Sequence, residues 1–180
     1  MNYLQYLFWD ARFQTEEEYD WLLTYAQVRS SLVPHLKATD RILVVGCGNS
    51  TFSADLYDDG FPLVVNIDFS QVVIDNMRAL HSAARPLMTW ECMDMTALLF
   101  PEDSFDVVLD KAAMDALLVD EGDCWAPEPR VVRDVHRMCA SIARVLNPKR
   151  GAVSADQLRA ASLPHQIPHG GAPPAAVERG

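Results

Sequence analysis

Hydrophobic residues recur with two different spacings along the chain, and the change from one to the other divides it. Near the N-terminus they follow helical spacing, which predicts helices over residues 3–13 and 16–36. From residue 41 onwards, short runs rich in Val, Ile and Leu alternate with stretches of helical spacing. The predicted strands are Arg41–Val45, Leu63–Ile67, Leu87–Cys92 and Phe105–Leu109, and the predicted helices are Thr51–Tyr57, Gln71–Leu80, Ala112–Val119 and Val131–Leu146. This alternation predicts an α/β fold, a Rossmann-like doubly wound and mostly parallel sheet with helices on both faces.

The alternating pattern ends at residue 148, where a fifth strand would be expected next. Residues 151–180 contain seven alanines, four prolines, four glycines and no aromatic residue, a composition that cannot supply a core strand. We therefore predict a sheet truncated after its fourth strand and the helices that follow it. The predicted regions are an N-terminal helical segment (1–40), the parallel-sheet domain (41–148) and a disordered Ala/Pro/Gly-rich tail (149–180).

Composition and charge limit the partners that we expect. The 180 residues are 49% hydrophobic and 22% charged, which suits one globular domain with a core. A net charge of -10 argues against nucleic acid and anionic membrane surfaces, which such a protein would repel. The N-terminus lacks the basic start of a secretory signal, so we expect a cytoplasmic protein. Four cysteines without a CxxC pair predict no metal site, and the sequence indicates no particular oligomeric state.

The first βα turn carries the strongest local motif, Val45-Gly46-Cys47-Gly48-Asn49-Ser50. Glycines at such a turn let the backbone bend sharply and approach a ligand, although many βα turns need glycine for steric reasons alone. Asp68, Asp94 and Asp110 follow the second, third and fourth predicted strands, along the crevice where open α/β sheets bind ligands. Each aspartate alone could merely cap a helix. Together they predict a site for a cofactor that contains adenosine, with Asp68 accepting hydrogen bonds from its ribose.

The glycine turn also discriminates between adenosine cofactors. A dinucleotide fingerprint would place a third glycine at the position of Thr51, and the chain has no P-loop. An acidic crevice favours a positively charged cofactor, and S-adenosylmethionine has that charge. NAD stays the alternative on this argument.

Several longer motifs occur in a family-specific order. They are YLFWDARF, YDWLL, VVGCGNS, NIDFS, CMDM, FDVVLDKAAMDALL and ARVLNP, which together span residues 6–148. In this the chain resembles the seven-strand, class I S-adenosylmethionine-dependent methyltransferases related to the lysine methyltransferases of elongation factor one alpha and of citrate synthase. The resemblance implies a protein substrate that presents a lysine.

The resemblance also implies roles for individual residues. Aromatic side chains of the N-terminal segment would cover the cofactor, Asp68 and Phe69 would hold its ribose and adenine, and Asp94 with Met95 would meet the adenine edge. The implied cofactor-binding residues are Trp9, Phe13, Trp21, Gly46, Gly48, Asn49, Asp68, Phe69, Asp94, Met95 and Lys111. The alternative interpretations are that the aromatic residues pack a helix onto the sheet and that Lys111 extends into solvent.

Two carboxylates flank the motif after the fourth strand, and we place them near an incoming lysine. Asp110 and Asp115 are these candidate catalytic residues, assigned by position alone, and either could instead cap a helix. The family motif usually has glycine where this chain has Ala112, and we expect the added methyl group to narrow the substrate channel.

Three functions follow from the sequence. The first is a protein-lysine methyltransferase. The second is a module that binds S-adenosylmethionine or a partner but has lost catalysis together with part of its sheet. The third is an NAD-binding oxidoreductase, against which Thr51 and the lack of a Tyr-x-x-x-Lys motif argue.

Overall fold

A computed structural model describes residues 3–16, 18–118 and 128–150 of the chain. Its helices are α1 (Tyr3–Thr15), α2 (Tyr25–Leu32), α3 (Phe52–Asp58), α4 (Gln71–His81), α5 (Ala113–Leu118) and α6 (Pro129–Val145). Its strands are β1 (Ile42–Val45), β2 (Val64–Asp68), β3 (Thr89–Cys92) and β4 (Val107–Asp110). Short 3-10 helices follow at Val33–His35 and Pro148–Arg150.

The four strands form one parallel sheet in the order β3-β2-β1-β4. All four residues of β1 are buried, as the uninterrupted apolar run predicts for a central parallel strand. The order reverses direction between β1 and β4, and the crevice at such a switch point is where ligands bind in open α/β sheets. The predicted Rossmann-like α/β fold is therefore confirmed.

Two hydrophobic clusters cover the two faces of the sheet. Ile42 and Val44 of β1 point to one face, where they belong to the same cluster as Tyr25 of α2 and Ile74 of α4. Leu43 and Val45 point to the other face. There the cluster also contains Phe105, Leu117, Met138 and Val145, from the approach to β4 and from α5 and α6. Alternate residues of one strand thus serve both layers, which is the doubly wound arrangement.

The end of α6 returns to the sheet beside β4. Leu146 forms a parallel bridge with Phe105, and the Asn147 amide donates to the Phe105 carbonyl at 2.8 Å. Within the described part of the chain, β4 pairs with β1 on one side and is the last strand of the sheet. Apart from Lys149 and Arg150, the predicted tail lies outside the described residues, as do most of the loop before α6 and the predicted helix residue Val119.

The predicted second helix is wrong over its first half. Residues 18–24 form no helix, and the helix begins only at Tyr25. Its start is marked by a hydrogen bond of 2.8 Å from the Thr24 amide to the Gln27 side chain. Leu22 adopts a positive φ of 62° there, which breaks helical geometry. Residues 18–24 thus form an irregular segment, which contacts the glycine turn where the Tyr19 amide donates to the Asn49 carbonyl at 3.2 Å. Among the described residues, no helix is long and apolar enough to cross a membrane.

Candidate active site

The glycine turn after β1 depends on two glycines for different reasons. Gly46 and Gly48 have φ values of 59° and 53°, in the left-handed region that glycine adopts without strain. A Cβ on Gly46 would lie 2.5 Å from the Ala113 Cβ, so this glycine also allows α5 to approach β1. A Cβ on Gly48 would lie 3.7 Å from the Phe13 ring, which is an ordinary contact. The backbone of Gly48 thus lies directly beneath the Phe13 ring.

Asp68, at the end of β2, supports this turn from below. Its Oδ2 accepts a hydrogen bond from the Gly48 amide at 3.0 Å, and its Oδ1 accepts one from the Ser70 amide at 3.0 Å. Burial raises the pKa of this carboxyl to about 6, with a smaller contribution from the Asp10 carboxylate, although the two amides oppose the shift. Each oxygen keeps a further lone pair, so hydroxyl groups of a ligand can still donate to it.

The N-terminal segment lies across the turn, as the resemblance implies. The Phe13 ring covers Gly48, Trp9 stacks on Phe13 with ring centres 5.7 Å apart, and Trp21 meets Trp9 edge-on at 5.7 Å. The Ser70 hydroxyl donates to the Asp10 carboxylate, and this contact fixes α1 above the start of α4. The structure therefore brings the three predicted aromatic residues together beside the glycine turn.

Arg12 organises this aromatic group, and sequence reasoning missed it. Its guanidinium lies 5.7 Å from the ring centre of Trp9, 5.6 Å from that of Tyr19 and 4.7 Å from that of Trp21. It also donates twice to Glu16, at 2.8 and 2.6 Å. The Arg12–Glu16 spacing of four residues was a visible signal, because such pairs meet on one face of a helix.

Glu16 connects the helix end to the glycine turn. It accepts a hydrogen bond from the Asn49 side chain at 3.4 Å, and the Asn49 carbonyl accepts one from the Tyr19 amide at 3.2 Å. Asn49 is buried, with 6% of its surface exposed. This predicted cofactor-binding residue therefore also anchors the N-terminal segment.

The residues after β2 and β3 occupy two environments. Phe69 follows Asp68 directly, and its carbonyl accepts a hydrogen bond from the Cys92 thiol at 3.2 Å. The Asp94 carboxylate accepts a hydrogen bond from the Thr96 amide at 2.8 Å and so stabilises the turn after β3. Met95 is buried in the core cluster with Leu43. Contact between an adenine and Asp94 or Met95 stays a prediction.

Asp110 caps α5, as one of the alternative interpretations allowed. It accepts hydrogen bonds from the amides of Ala113 at 2.9 Å and of Met114 at 3.3 Å. Desolvation by its surroundings raises its pKa, the two amides oppose this, and the Asp115 charge adds to it. Asp115 is exposed on α5. Their role near a substrate lysine stays a prediction.

Ala112 has a positive φ of 72°, between Asp110 and α5. Glycine adopts this conformation without the cost that a Cβ imposes, which explains glycine at this position of the motif in conformational terms. The expected narrowing of a substrate channel is not needed to account for the substitution.

Lys111 is turned towards the N-terminal segment, and only 17% of its side chain is exposed. Its Nζ lies 3.2 Å from the Asp20 Oδ1 and donates to the Trp21 carbonyl at 3.1 Å. The alternative of a lysine extending into solvent is therefore wrong. Contact with a cofactor stays a prediction.

Comparison with known proteins adds to this geometry. The sequence profile of a family described as a methyltransferase domain matches residues 42–149, more than half of the chain. The chain belongs to this family. The resemblance noted from the motifs, to class I S-adenosylmethionine-dependent methyltransferases related to the lysine methyltransferases of elongation factor one alpha, is confirmed.

The chain is similar to two curated relatives and to one solved structure. It is 42% identical over 150 residues to EEF1A lysine methyltransferase 4 of Bos taurus, a match that covers 82% of this chain and 58% of the relative. It is 41% identical over 141 residues to eEF1A lysine and N-terminal methyltransferase of Homo sapiens, covering 77% of this chain and 19% of that protein. The fold matches phosphoethanolamine N-methyltransferase 1 of Haemonchus contortus, solved with phosphoethanolamine and S-adenosylhomocysteine, with a TM-score of 0.59. Sequence identity to it is 18%, and the match covers 80% of this chain and 29% of that one. The chain thus spans less than two thirds of the length of the curated relatives it matches.

Proposed function

We propose that this chain forms the S-adenosylmethionine-binding part of a protein-lysine methyltransferase. The observation that carries the proposal is the buried Asp68 carboxylate beneath Gly48, with Phe13 and Trp9 above the same turn. The names of the relatives, at about 42% identity, support lysine as the acceptor. A cytoplasmic location and a protein partner complete the proposal, and the net charge of -10 suits a basic partner better than nucleic acid or a membrane.

The residues present fit this cofactor. Asp68 keeps acceptor capacity for ribose hydroxyls, and Gly48 presents backbone without a side chain beside the aromatic rings. The methionine end of the cofactor would lie along Gly46 and Gly48, and its adenine beside Phe69. In the described part of the chain, no group of three His, Cys, Asp or Glu side chains could hold a metal ion.

The bound cofactor would supply a methyl group that is already activated for transfer. What the chain must add is alignment, exclusion of water and an uncharged lysine. The aromatic rings over the turn serve the exclusion of water. Asp110 and Asp115 are our candidates for binding the incoming ammonium group, and unchanged rate and substrate affinity in both Asp110→Asn and Asp115→Asn would eliminate them.

Calorimetric titration of the 180-residue chain with S-adenosylhomocysteine tests the proposal. We expect binding by the wild type, loss of binding in Asp68→Ala, and wild-type binding in Asp58→Ala. Asp58 suits the control because its carboxylate also accepts hydrogen bonds, here from Arg85 with an N–O distance of 2.5 Å, but lies at the far end of α3. Binding of NAD with no binding of S-adenosylhomocysteine would refute the proposal in favour of an oxidoreductase.

One observation favours a second candidate, a module that binds the cofactor without transferring its methyl group. The described residues provide a four-strand sheet with β4 at its edge. Incubation with radiolabelled S-adenosylmethionine and eEF1A, the protein in the relatives' names, separates the two candidates. Labelling of eEF1A by the wild type but not by Asp68→Ala supports methyl transfer. Cofactor binding without labelling of eEF1A supports the binding module.

A further inference from the structure

We propose that the Asp20–Lys111 ion pair is a clasp that fastens the N-terminal segment across the glycine turn and sets how often the crevice beneath it opens. Asp20 and Lys111 are then positioning residues, which act on a ligand through the segment they hold. The ligand assigned to the crevice rests on the proposed function, but the clasp itself does not.

The ion pair is shielded from solvent on both sides. The Lys111 Nζ lies 3.2 Å from the Asp20 Oδ1, with 17% of the Lys111 side chain and 15% of the Asp20 side chain exposed. Exposed ion pairs contribute little because water and salt screen them, and shielding reduces that screening. The same ammonium group donates to the Trp21 carbonyl at 3.1 Å, so it holds both the carboxylate and the neighbouring backbone.

Asp20 also binds the glycine turn through its carboxylate. Its Oδ1 accepts a hydrogen bond from the Ser50 hydroxyl, and its Oδ2 accepts one from the Thr51 hydroxyl at 3.3 Å. One carboxylate therefore joins three segments that are distant in sequence: the N-terminal segment, the turn after β1 and the turn after β4. A carboxylate shared in this way loses several interactions together when one partner is removed.

The position of Lys111 links the clasp to both sides of the crevice. It directly follows Asp110, which caps α5, and α5 packs its Ala113 against Gly46. The N-terminal segment, in turn, carries Trp21, whose ring contacts Trp9 above the glycine turn. Breaking the ion pair thus releases the N-terminal segment, which covers the crevice, from the turn after β4.

The segment that the clasp holds has few regular contacts of its own. Residues 18–24 form no helix, and Tyr19, Trp21 and Leu22 are exposed. The Tyr19 amide donates to the Asn49 carbonyl at 3.2 Å, a backbone bond between the segment and the glycine turn. Protection of this amide from hydrogen exchange therefore reports whether the segment is seated.

Hydrogen exchange of the unliganded full chain tests the clasp directly. We expect the Tyr19 amide to exchange about fivefold to tenfold faster in Lys111→Met and in Asp20→Asn, because each opens the segment more often. Asp20→Asn keeps an oxygen for the Ser50 hydroxyl, and thermal melts select the variants that remain folded. The Tyr19 amide of the double variant should exchange no faster than that of the faster single variant. Lys111→Arg keeps a positive charge, so its Tyr19 exchange rate should stay within about twofold of the wild type. Asp58→Asn, the control, should leave the Tyr19 exchange rate unchanged.

Stopped-flow tryptophan fluorescence with S-adenosylhomocysteine adds the functional readout. We expect the association and dissociation rates both to rise about fivefold to tenfold in the two single variants, because the ligand enters and leaves through the same opening, so the dissociation constant should change by less than about twofold. Exchange at Tyr19 within twofold of the wild type in both variants, or an additive double variant, overturns the proposal. A wild-type chain that binds no S-adenosylhomocysteine refutes the proposed function instead, and the exchange experiment still decides the clasp.

Discussion

Gly46 is the residue at which the structure makes its sharpest prediction about stability. Replacing Gly46 or Gly48 with alanine places a Cβ at a positive φ, which costs roughly 1–2 kcal/mol at each position. Only at Gly46 does the new methyl group meet another atom at 2.5 Å, the Ala113 Cβ. Relieving such overpacking costs about 1–3 kcal/mol more. We therefore expect Gly46→Ala to be more destabilising than Gly48→Ala by about 1–3 kcal/mol.

The paired comparison cancels what the two substitutions share. Both convert glycine to alanine in one turn, so the effect of alanine on the unfolded chain is the same for each. Urea denaturation followed by circular dichroism gives the free energy of unfolding, and equal m values show that both variants unfold from comparable states.

A second substitution identifies the cause of the difference. Ala113→Gly removes the methyl group that the new side chain meets, so it should restore about 1–3 kcal/mol of unfolding free energy in the Gly46→Ala background. In the wild-type background it should instead cost roughly 1 kcal/mol, because glycine weakens a helix. Equal destabilisation by Gly46→Ala and Gly48→Ala, or no rescue by Ala113→Gly, would refute the packing argument.

Three further predictions concern the residues around the same crevice. Ala112→Gly should raise the free energy of unfolding by about 0.5–1 kcal/mol in urea, because it removes the cost of a Cβ at a φ of 72°; a loss of stability would contradict this. Asp110→Ala should lower the free energy of unfolding by about 1 kcal/mol, because α5 loses its cap. Asp115 is exposed, so Asp115→Ala should change the free energy of unfolding by less than about 0.5 kcal/mol. Because the folded pKa of Asp68, about 6, lies above its ordinary value of 3.8, the folded chain retains this proton to higher pH than the unfolded chain does. The stability of the wild type relative to Asp68→Asn should therefore fall by about 2 kcal/mol as the pH rises from 4 to 7, and a difference that stays constant across denaturation curves in this range would argue against it.

The elements that the sequence predicts well are those in which local pattern and tertiary environment agree. The run around Val44 is apolar throughout, and the run around Val65 is interrupted only by Asn66 before Asp68. Because central parallel strands bury both faces, these runs alone indicate the structure. Ser70 directly precedes α4 and caps it, since its hydroxyl oxygen accepts a hydrogen bond from the Val73 amide at 3.4 Å. The position of Asp68 at the end of its strand also follows from the strand pattern.

Contacts between segments distant in sequence account for what the pattern misses. Residues 16–24 contain good helix formers, yet Asp20 is drawn to Ser50 and Lys111, and these partners override local propensity. The positive φ of Ala112 arises where β4 turns into α5 beside Gly46, and no spacing rule shows it. Lys111 illustrates the same point, because its partner lies 90 residues earlier in the chain.

The sheet order has a consequence for how the crevice is assembled during folding. β2 and β3 each follow their sheet neighbour after a single intervening helix, so most of the sheet can pair through loops of modest length. β4 must instead return to β1, where Arg41 and Asp106 meet across 65 residues of chain. Because closing a long loop costs entropy before its contacts repay it, we expect β4 to dock late. The crevice between β1 and β4 would then be completed in the final steps of folding, after the turn that carries its two glycines is already in place.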